Sequence, residues 1–474
     1  SCAILEQLYL PPTGNVVCWG QGNFGQLGNG VNAGSNTPVF AQLPPGAYAV
    51  EISVGWDSVC AIIDDGSVIC WGVGSEGQLG NGANANSNVP VQVDIPIGRT
   101  ATSISSGWHS CSVLDDGSAV CWGRGVEGQL GNGANANSNV PLYVSPLSGP
   151  APHHLEVGVG KFHSCSILTD GSATCWGQGT SGQLGNGAAA DSNVPVPVNL
   201  LVPHPITSIS SGVKFTCATF VDGSSECWGY GLWGQLGNSD WFGSLTPVNV
   251  DLPSGLESLE ISAGEYHACA IMGDGTAMCW GENSNGQLGQ GNTNSIGDET
   301  DEMGDNLAAV SLGSGRQVLG VSGGQAHTSV ILDDGSVKSF GLNDYGQLGK
   351  ENTSTLGDAS NEMGSDLAAI DLGTGLDAAT TSLSITTDLV TPTVTFTPVN
   401  GTANVSSSAN VLIAFNEPVR NTDNSALSDD NIDALITLKD TDASGSDIAF
   451  DATINSTKTL ITIVPNSNFS SLQT

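Results

Sequence analysis

The residues of this 474-residue sequence best suited to chemistry are twelve cysteines, which fall into six pairs. In five pairs the two cysteines are ten residues apart and an Asp-Gly dipeptide lies between them. Asp-Gly favours a tight hairpin turn, so each pair is expected to face across two antiparallel strands, within disulfide distance. The predicted pairs are Cys2 with Cys18, Cys60 with Cys70, Cys111 with Cys121, Cys165 with Cys175, Cys217 with Cys227, and Cys269 with Cys279.

These cysteines have three possible states: disulfides, free buried thiols or zinc ligands. Zinc is disfavoured because no Cys-x-x-Cys or second close ligand pair occurs. Free thiols that pack as small apolar groups have no reason to change together, yet Ser329 and Ser339 replace both cysteines in a seventh copy of the hairpin. The sequence therefore predicts six structural disulfides and an extracellular or cell-surface location, because disulfides persist in oxidising compartments.

A glycine motif typical of dinucleotide binding, Gly-x-Gly-x-x-Gly, occurs five times. The functional motif opens a helix inside a βαβ unit, whereas here strand-like segments follow and no helical pattern is present. We assign these glycines to left-handed turns and close packing, and we predict no cofactor. The copies begin at Gly20, Gly72, Gly123, Gly177 and Gly229.

Ser322 lies in Gly-Val-Ser-Gly-Gly, the pattern of a lipase nucleophile elbow, with His327 close in sequence. An elbow needs a strand-to-helix turn, and equivalent serines without the flanking glycines recur at Ser53, Ser105, Ser210 and Ser262. We interpret Ser322 as a structural strand serine and nominate no catalytic residue, so the chain is predicted not to be an enzyme.

A histidine recurs two residues before the first cysteine position of the hairpin in four copies. Histidines that are about fifty residues apart, one per copy, do not converge on one metal ion, and Phe215 and Ser58 take the same position elsewhere. We predict a structural role and no metal site. These histidines are His109, His163, His267 and His327.

Two acidic insertions occur in the last copies, at Asp298–Asp305 and Asp358–Asp366. Clustered carboxylates can hold calcium, but the spacing does not match an EF-hand loop. The favoured interpretation is an extended, solvated loop, and calcium binding is left open.

The chain has 10 Lys and Arg against 46 Asp and Glu, which gives 10 − 46 = −36. Such a surface repels phosphate, so binding to nucleic acid or to an anionic membrane face is not expected. No run of eighteen apolar residues occurs, which argues against a membrane-spanning helix. The start at Ser1-Cys2, without Met, suggests a fragment or a processed product, and the chain is expected to be part of a longer surface chain.

A repeated unit positions all these residues. The string Gly-Gln-Leu-Gly occurs seven times, and Trp-Gly lies upstream of it in six copies, with Phe340 in the seventh. Each copy contains about four short strand-like segments and no amphipathic helix, which is typical of propeller blades. The string begins at Gly25, Gly77, Gly128, Gly182, Gly234, Gly286 and Gly346.

The hairpin, Trp-Gly and Gly-Gln-Leu-Gly motifs together resemble the regulator of chromosome condensation repeat family over residues 1–385. The resemblance implies a seven-bladed β-propeller and says little about function, because functions are sited on folds. Ser1–Leu5 starts inside a blade, so we expect the stretch 380–385 to supply the missing strand and close the ring.

The composition changes after a linker at 386–391. Residues 392–474 contain no Cys or Trp, and strand-like runs separated by turn residues alternate along them. They resemble Ig-like modules of bacterial and archaeal surface proteins, so we predict an Ig-like β-sandwich that lacks a final strand. The runs are 393–396, 411–415, 435–438, 448–454 and 460–464.

The predicted function is a non-enzymatic extracellular or cell-surface scaffold that binds an unidentified protein or glycan. Trp233, Trp241 and Phe242 form the candidate ligand patch because exposed aromatics are enriched at binding hot spots; packing under the loop is the alternative. A secreted inhibitor is a second possibility, since a bacterial β-lactamase inhibitor shares this propeller type. Nucleotide exchange on a small GTPase, the activity best known in the family, is a third, but disulfides argue against a reducing compartment.

Overall fold

The computed structural model describes residues 1–7, 14–146, 153–201, 204–373 and 376–378, together with the backbone of four strands between Val394 and Pro465. The chain divides into two compact units, Ser1–Leu389 and Val390–Thr474. The division falls inside the predicted linker.

The first unit is a seven-bladed β-propeller, as the sequence predicted. Each blade is an antiparallel sheet in which neighbouring strands are consecutive in the chain, except where the ring closes. Blade 1 contains β1 (Cys2–Gln7), β2 (Asn15–Gly20) and β3 (Ser35–Phe40); blade 2 contains β4 (Ala49–Val54), β5 (Ser58–Ile63), β6 (Val68–Gly72) and β7 (Ser87–Gln92); blade 3 contains β8 (Ala101–Ser106), β9 (His109–Leu114), β10 (Ala119–Gly123) and β11 (Ser138–Tyr143). Blade 4 contains β12 (His154–Val159), β13 (His163–Leu168), β14 (Ala173–Gly177) and β15 (Ser192–Pro197); blade 5 contains β16 (Ile206–Ser211), β17 (Phe215–Phe220), β18 (Ser225–Gly229) and β19 (Ser244–Asn249).

Blades 6 and 7 differ from the others because three regular strands form each of their described sheets. Blade 6 contains β20 (Ser258–Ala263), β21 (His267–Met272) and β22 (Ala277–Gly281), and blade 7 contains β23 (Val318–Gly323), β24 (His327–Leu332) and β25 (Val337–Gly341). The acidic insertions take the place of the fourth strand and attach through single bridges such as Gly281 to Ile296.

The insertions are not simply solvated loops, which corrects the expectation from sequence. In blade 6 the insertion includes a short 3-10 helix, Gly304–Asn306, and Met303 and Leu307 on either side of it are buried in the core of that blade. Apolar side chains therefore anchor this insertion, while some of its acidic residues are exposed.

All six predicted disulfides are present. The Asp-Gly turn sets the register of each regular hairpin so that the cysteines stand directly opposite, for example Cys60 and Cys70 with a Cα–Cα distance of 4.1 Å. In blade 7 the hydroxyl oxygens of Ser329 and Ser339 lie 2.7 Å apart at the same place, so a hydrogen bond replaces the covalent link. The disulfides join Cys2 with Cys18, Cys60 with Cys70, Cys111 with Cys121, Cys165 with Cys175, Cys217 with Cys227, and Cys269 with Cys279.

The Trp-Gly and Gly-Gln-Leu-Gly motifs join neighbouring blades. The indole Nε1 of Trp71 donates to the carbonyl oxygen of Gln26 in blade 1 at 3.0 Å, and Trp19 donates to Gln347 at 2.9 Å across the junction of blades 7 and 1. Gly25 has φ +90°, and a Cβ on it would lie 2.6 Å from the Cα of Asn88. Only glycine fits there, which explains the repeated dinucleotide-like pattern without a ligand.

The C-terminal end of the first unit completes blade 1. Strand β26 (Leu376–Ala378) pairs with β1, with Leu5 opposite Ala378. The predicted closure is confirmed, but the pairing is seen at 376–378; the stretch 380–385, which the sequence nominated, lies outside the described residues. Closure removes an exposed sheet edge.

The described residues of the second unit form one antiparallel sheet in the order β27, β28, β30, β29. Its strands are β27 (Val394–Thr397), β28 (Val411–Phe415), β29 (Phe450–Ile454) and β30 (Leu460–Pro465), and the predicted run at 435–438 lies outside the described residues. One sheet is not a sandwich, so the Ig-like module stays a prediction. Among the described residues of the whole chain, no helix has the length and apolarity to cross a membrane.

Candidate functional site

Four tryptophans that are not part of the blade cores lie on the same face of the propeller. In each antiparallel blade the turn between the first and second strands and the connection between the third and fourth strands lie at the same end. Trp56 and Trp108 lie in such turns, and Trp233 and Trp241 lie in the β18–β19 connection. We call this end the tryptophan face.

Blade 5 carries an exposed apolar patch on the tryptophan face. The exposed fractions are 42% for Trp233, 52% for Trp241 and 59% for Phe242, and Leu232 and Leu245 beside them are also exposed. The rings of Trp241 and Phe242 stack with their centroids 4.5 Å apart. The predicted patch is therefore on the surface, whereas the alternative, in which the rings fill a gap under the loop, does not fit this exposure.

The aromatic residues are not needed to build the loop that carries them. The connection between the third and fourth strands spans residues 230–243 in blade 5, 73–86 in blade 2 and 124–137 in blade 3, which is the same length in each. Blades 2 and 3 have Asn84-Ala85 and Asn135-Ala136 where blade 5 has Trp241 and Phe242. Because the same loop folds with Asn-Ala in blades 2 and 3, the two exposed rings of blade 5 are not required for its packing.

The backbone of this loop is also unusual. Ser239 has φ +57°, one of three non-glycine residues in the left-handed region among those described. Gly82 and Gly133 occupy the same place in blades 2 and 3. Left-handed conformations cost energy for a residue with a Cβ and cluster at functional loops. The second half of the loop is held by a hydrogen bond from the Phe242 amide to Asp240 Oδ1 at 3.2 Å.

A second feature of the tryptophan face is a lysine surrounded by aromatic rings at the mouth of the central channel. Lys161 Nζ lies 3.8 Å from the ring centroid of Trp56, 4.5 Å from that of Trp108 and 5.6 Å from that of Phe162. Burial lowers the pKa of Lys161, while the carboxylates of Glu265 and Asp57 oppose this shift. Cation–π contacts of this kind hold the turns of three blades together.

The channel itself contains three glutamates, which the sequence analysis missed. Glu51, Glu156 and Glu260 occupy the same position in the innermost strands of blades 2, 4 and 6, and Ser103 and Ser208 occupy it in blades 3 and 5. Glu51 accepts a hydrogen bond from the Ile104 amide of the next blade at 3.0 Å. The available signal was this alternation of Glu and Ser, just before an Ile-Ser pair in blades 2, 3, 5 and 6 and before Val157-Gly158 in blade 4.

The three glutamates are half-buried in the channel, which reduces the hydration of their carboxyl groups. Burial raises the pKa of Glu51 to about 7, against the lowering effect of the bond from Ile104. Burial raises the pKa of Glu156 well above its usual value, and the negative charges of Glu51 and Glu260 add to the shift. The channel therefore favours the protonated forms of Glu51 and Glu156, and each of these carboxyl groups accepts a backbone hydrogen bond from the next blade.

The four recurring histidines have the structural role that the sequence predicted. Each lies within hydrogen-bond distance of a hydroxyl group in the next blade; for example, His109 Nε2 lies 2.6 Å from Ser164 Oγ and His163 Nε2 lies 2.7 Å from Thr216 Oγ1. Burial lowers the pKa of His109 and His163 to about 3, so both rings are neutral at physiological pH.

The recurring strand serines also join blades. Ser53 Oγ accepts a hydrogen bond from the Ser106 amide at 2.9 Å, and Ser262 Oγ accepts one from the Gly323 amide at 3.0 Å. Ser322, the serine of the elbow-like pattern, occupies the corresponding place in strand β23. Strand β23 is followed by strand β24, whereas a nucleophile elbow requires a helix after the strand that carries the serine.

The carboxylates of the acidic insertions are used in part to shape their own loops. Glu302 Oε2 accepts hydrogen bonds from the amides of Gly297 and Glu299, and Glu362 makes the matching bonds in blade 7. Asp305 accepts two from Ser254. Within the described part of the chain no group of three or more His, Cys, Asp or Glu is arranged to hold a metal ion.

Known proteins of similar sequence and structure support the fold. The chain is 30% identical over 340 residues to the ultraviolet-B receptor UVR8 of Arabidopsis thaliana, covering 71% of this chain and 75% of the receptor. It is 26% identical over 350 residues to the human E3 ubiquitin-protein ligase HERC2, but this match covers only 7% of the ligase. The crystal structure of Prp20p from Saccharomyces cerevisiae superposes with a TM-score of 0.61 at 20% identity, covering 72% of this chain and 84% of that one.

The sequence profile of the regulator of chromosome condensation (RCC1) repeat matches residues 13–62, 65–114, 116–167, 170–219 and 227–271. These matches cover more than half of the chain and coincide with the blades that carry the Trp-Gly and Gly-Gln-Leu-Gly contacts. The chain belongs to the regulator of chromosome condensation (RCC1) repeat family.

Proposed function

We propose that this protein is a non-enzymatic extracellular binding scaffold. The propeller presents the blade-5 patch of Trp233, Trp241 and Phe242 to a protein or glycan partner, and residues 392–474 form an Ig-like module that follows it. The observation that carries the proposal is the pair of exposed rings on a loop that other blades build with Asn-Ala. Exposed aromatic groups that the fold does not require are typical of recognition surfaces.

The extracellular assignment is supported by the six disulfides, because such bonds persist in oxidising compartments. All the cysteines of the described chain are paired. A binding or regulatory role is supported by relatives such as the UVR8 receptor. The relatives do not identify the partner of this chain, since binding residues lie in loops that differ between propellers.

The test is the double substitution Trp241→Asn and Phe242→Ala, which gives blade 5 the residues found in blade 2. The matched control is Asn84→Ala in blade 2, which changes the same loop position where no aromatic residue is present. Thermal unfolding and binding to arrays of glycans and of extracellular proteins are measured for each variant. We expect unchanged stability in both variants and loss of binding only in the double variant.

A marked fall in melting temperature for the double variant would show that the rings serve packing, which contradicts the proposal. Unchanged binding in a folded double variant would place recognition elsewhere on the protein. Trp233→Ser provides a second, independent perturbation, since Ser181 occupies the same position in blade 4.

A further inference from the structure

The blade-5 patch has the acidic insertion of blade 6 as its neighbour. A Cβ on Gly234, the residue after Trp233, would lie 2.3 Å from the backbone nitrogen of Asp298. The insertion continues to the opposite face, where the Gly304 amide donates to the Asp251 carbonyl oxygen in the β19–β20 connection at 2.8 Å. The contact at Gly234 therefore places the start of the acidic loop, at Asp298, next to the aromatic patch on the tryptophan face.

Resting on the proposed function above, we propose that this surface binds a basic and apolar peptide segment of a partner protein. The rings of Trp233, Trp241 and Phe242 receive its apolar side chains and the flat faces of its arginines. The acidic loop at Asp298 and Glu299 pairs with its positive charges.

The charge distribution supports a cationic partner. Residues 215–315, which include three of the four strands of blade 5 and all of blade 6, contain no Lys or Arg; the basic residue of blade 5 is Lys214, in the turn between its first two strands. Asp240, Asp298 and Glu299 therefore have no basic side chain from this part of the chain to neutralise them. A partner that covers these carboxylates without bringing positive charge would leave them desolvated and unpaired, which is costly.

The loop can present these acids without using them for its own structure. Glu302 and Asp305 make the hydrogen bonds that shape and anchor the loop. Glu299 is exposed and Asp298 is half-buried. Charge neutralisation at Asp298 and Glu299 is therefore expected to change binding without unfolding the loop.

The chemistry of the patch favours peptide over glycan. Arginine stacks on aromatic rings and also forms paired hydrogen bonds with carboxylates, so one side-chain type satisfies both parts of the surface. A neutral sugar stacks on the rings but gains nothing from the negative potential of the whole sector. Charge complementarity therefore selects the basic peptide.

The experiment uses the full chain and synthetic peptides labelled with a fluorophore. The probe is a ten-residue peptide that alternates arginine with leucine; the comparison probes alternate arginine with serine and glutamate with leucine. Fluorescence anisotropy measures the affinity at low and high salt. We expect the arginine–leucine peptide to bind more tightly than both others, and less tightly at high salt because ions screen the pairing.

Two variants locate the binding. Trp241→Asn with Phe242→Ala is expected to lower the affinity for the arginine–leucine peptide by about tenfold or more, as for loss of a hot spot. Asp298→Asn with Glu299→Gln is expected to lower this affinity by roughly three- to tenfold and to reduce the dependence of the affinity on salt. The control, Asp94→Asn with Glu257→Gln, removes the same charge from connections on the opposite face and is expected to leave the affinity unchanged.

Three results would overturn the inference: no binding of the arginine–leucine peptide, equal binding of the glutamate–leucine peptide, or equal weakening by the control variant. The last would mean that the peptide binds the overall charge of −36 rather than this surface. If neutral oligosaccharides bind and are lost in the Trp241 and Phe242 variant, the proposed recognition site stands but the peptide inference fails.

Discussion

The half-buried carboxyl group of Glu51 in the channel predicts an unusual dependence of stability on pH. Its pKa is raised from 4.5 to about 7 by burial. Between about pH 4.5 and 7 the folded protein therefore keeps a proton on Glu51 that the unfolded chain releases. The contribution of Glu51 to stability is present below pH 4.5 and is lost as the pH rises through 7. The test substitution is Glu51→Gln, whose amide oxygen still accepts the hydrogen bond from Ile104.

The size of the effect follows from the shift. The difference 7 − 4.5 is 2.5 pH units, and one unit corresponds to about 1.4 kcal/mol, which gives an effect of about 3 kcal/mol as an upper value. Glu51→Gln is therefore expected to have a higher free energy of unfolding than the wild type by up to about 3 kcal/mol at pH 8 and to match it at pH 4.

Urea denaturation followed by tryptophan fluorescence at pH 4, 6 and 8 measures this free energy. The buried histidines act in the opposite direction: burial lowers the pKa of His109 to about 3, so their contribution is lost as the pH falls below 6.5. The measured quantity is therefore the difference between variant and wild type at each pH, and Asp94→Asn, an exposed acid, is the control. The reasoning is refuted if the Glu51→Gln difference is the same at pH 4 and pH 8.

Three further predictions concern the contacts that hold the blades. Replacing Cys60 and Cys70 together with Ser, as blade 7 does, should keep the fold and lower the free energy of unfolding by roughly 2–3 kcal/mol in urea titrations; an unchanged value would mean that the disulfide contributes nothing. Trp122→Phe, which mimics Phe340, removes the bond to the Gln78 carbonyl oxygen and should cost about 1 kcal/mol, whereas the exposed Trp241→Phe should cost almost nothing; equal effects would contradict the assigned contact. Truncation after Gly373 removes β26 and leaves the edge of β1 unpaired, so the melting temperature should fall clearly, and an unchanged temperature would argue against closure through this strand.

The candidate site was predictable only in part. Trp233, Trp241 and Phe242 were identified because one connecting loop departs from otherwise bland copies, and the structure exposes all three. The glutamates of the channel were missed because each one, in its own strand, looks like an ordinary polar residue. Their significance arises from the ring, which brings Glu51, Glu156 and Glu260 into one channel from positions more than one hundred residues apart.

The sequence by itself determined the repeated unit of this protein. Asp-Gly turns, alternating apolar runs and cysteines ten residues apart are local signals, and local geometry is enough to specify a hairpin and its disulfide. In the seventh copy Ser329 and Ser339 replace both cysteines of the hairpin, and this paired change indicated from sequence alone which two cysteines are bonded in the other copies.

Only the tertiary structure decided what happens between units. Closure through Leu376–Ala378, the cage of rings around Lys161 and the contact of the blade-6 acidic loop with Gly234 all join residues that are distant in sequence. The physical reason is that such contacts depend on how seven blades pack around an axis. The raised pKa of Glu51 and the shared aromatic and acidic surface are properties of that arrangement, not of any single repeat.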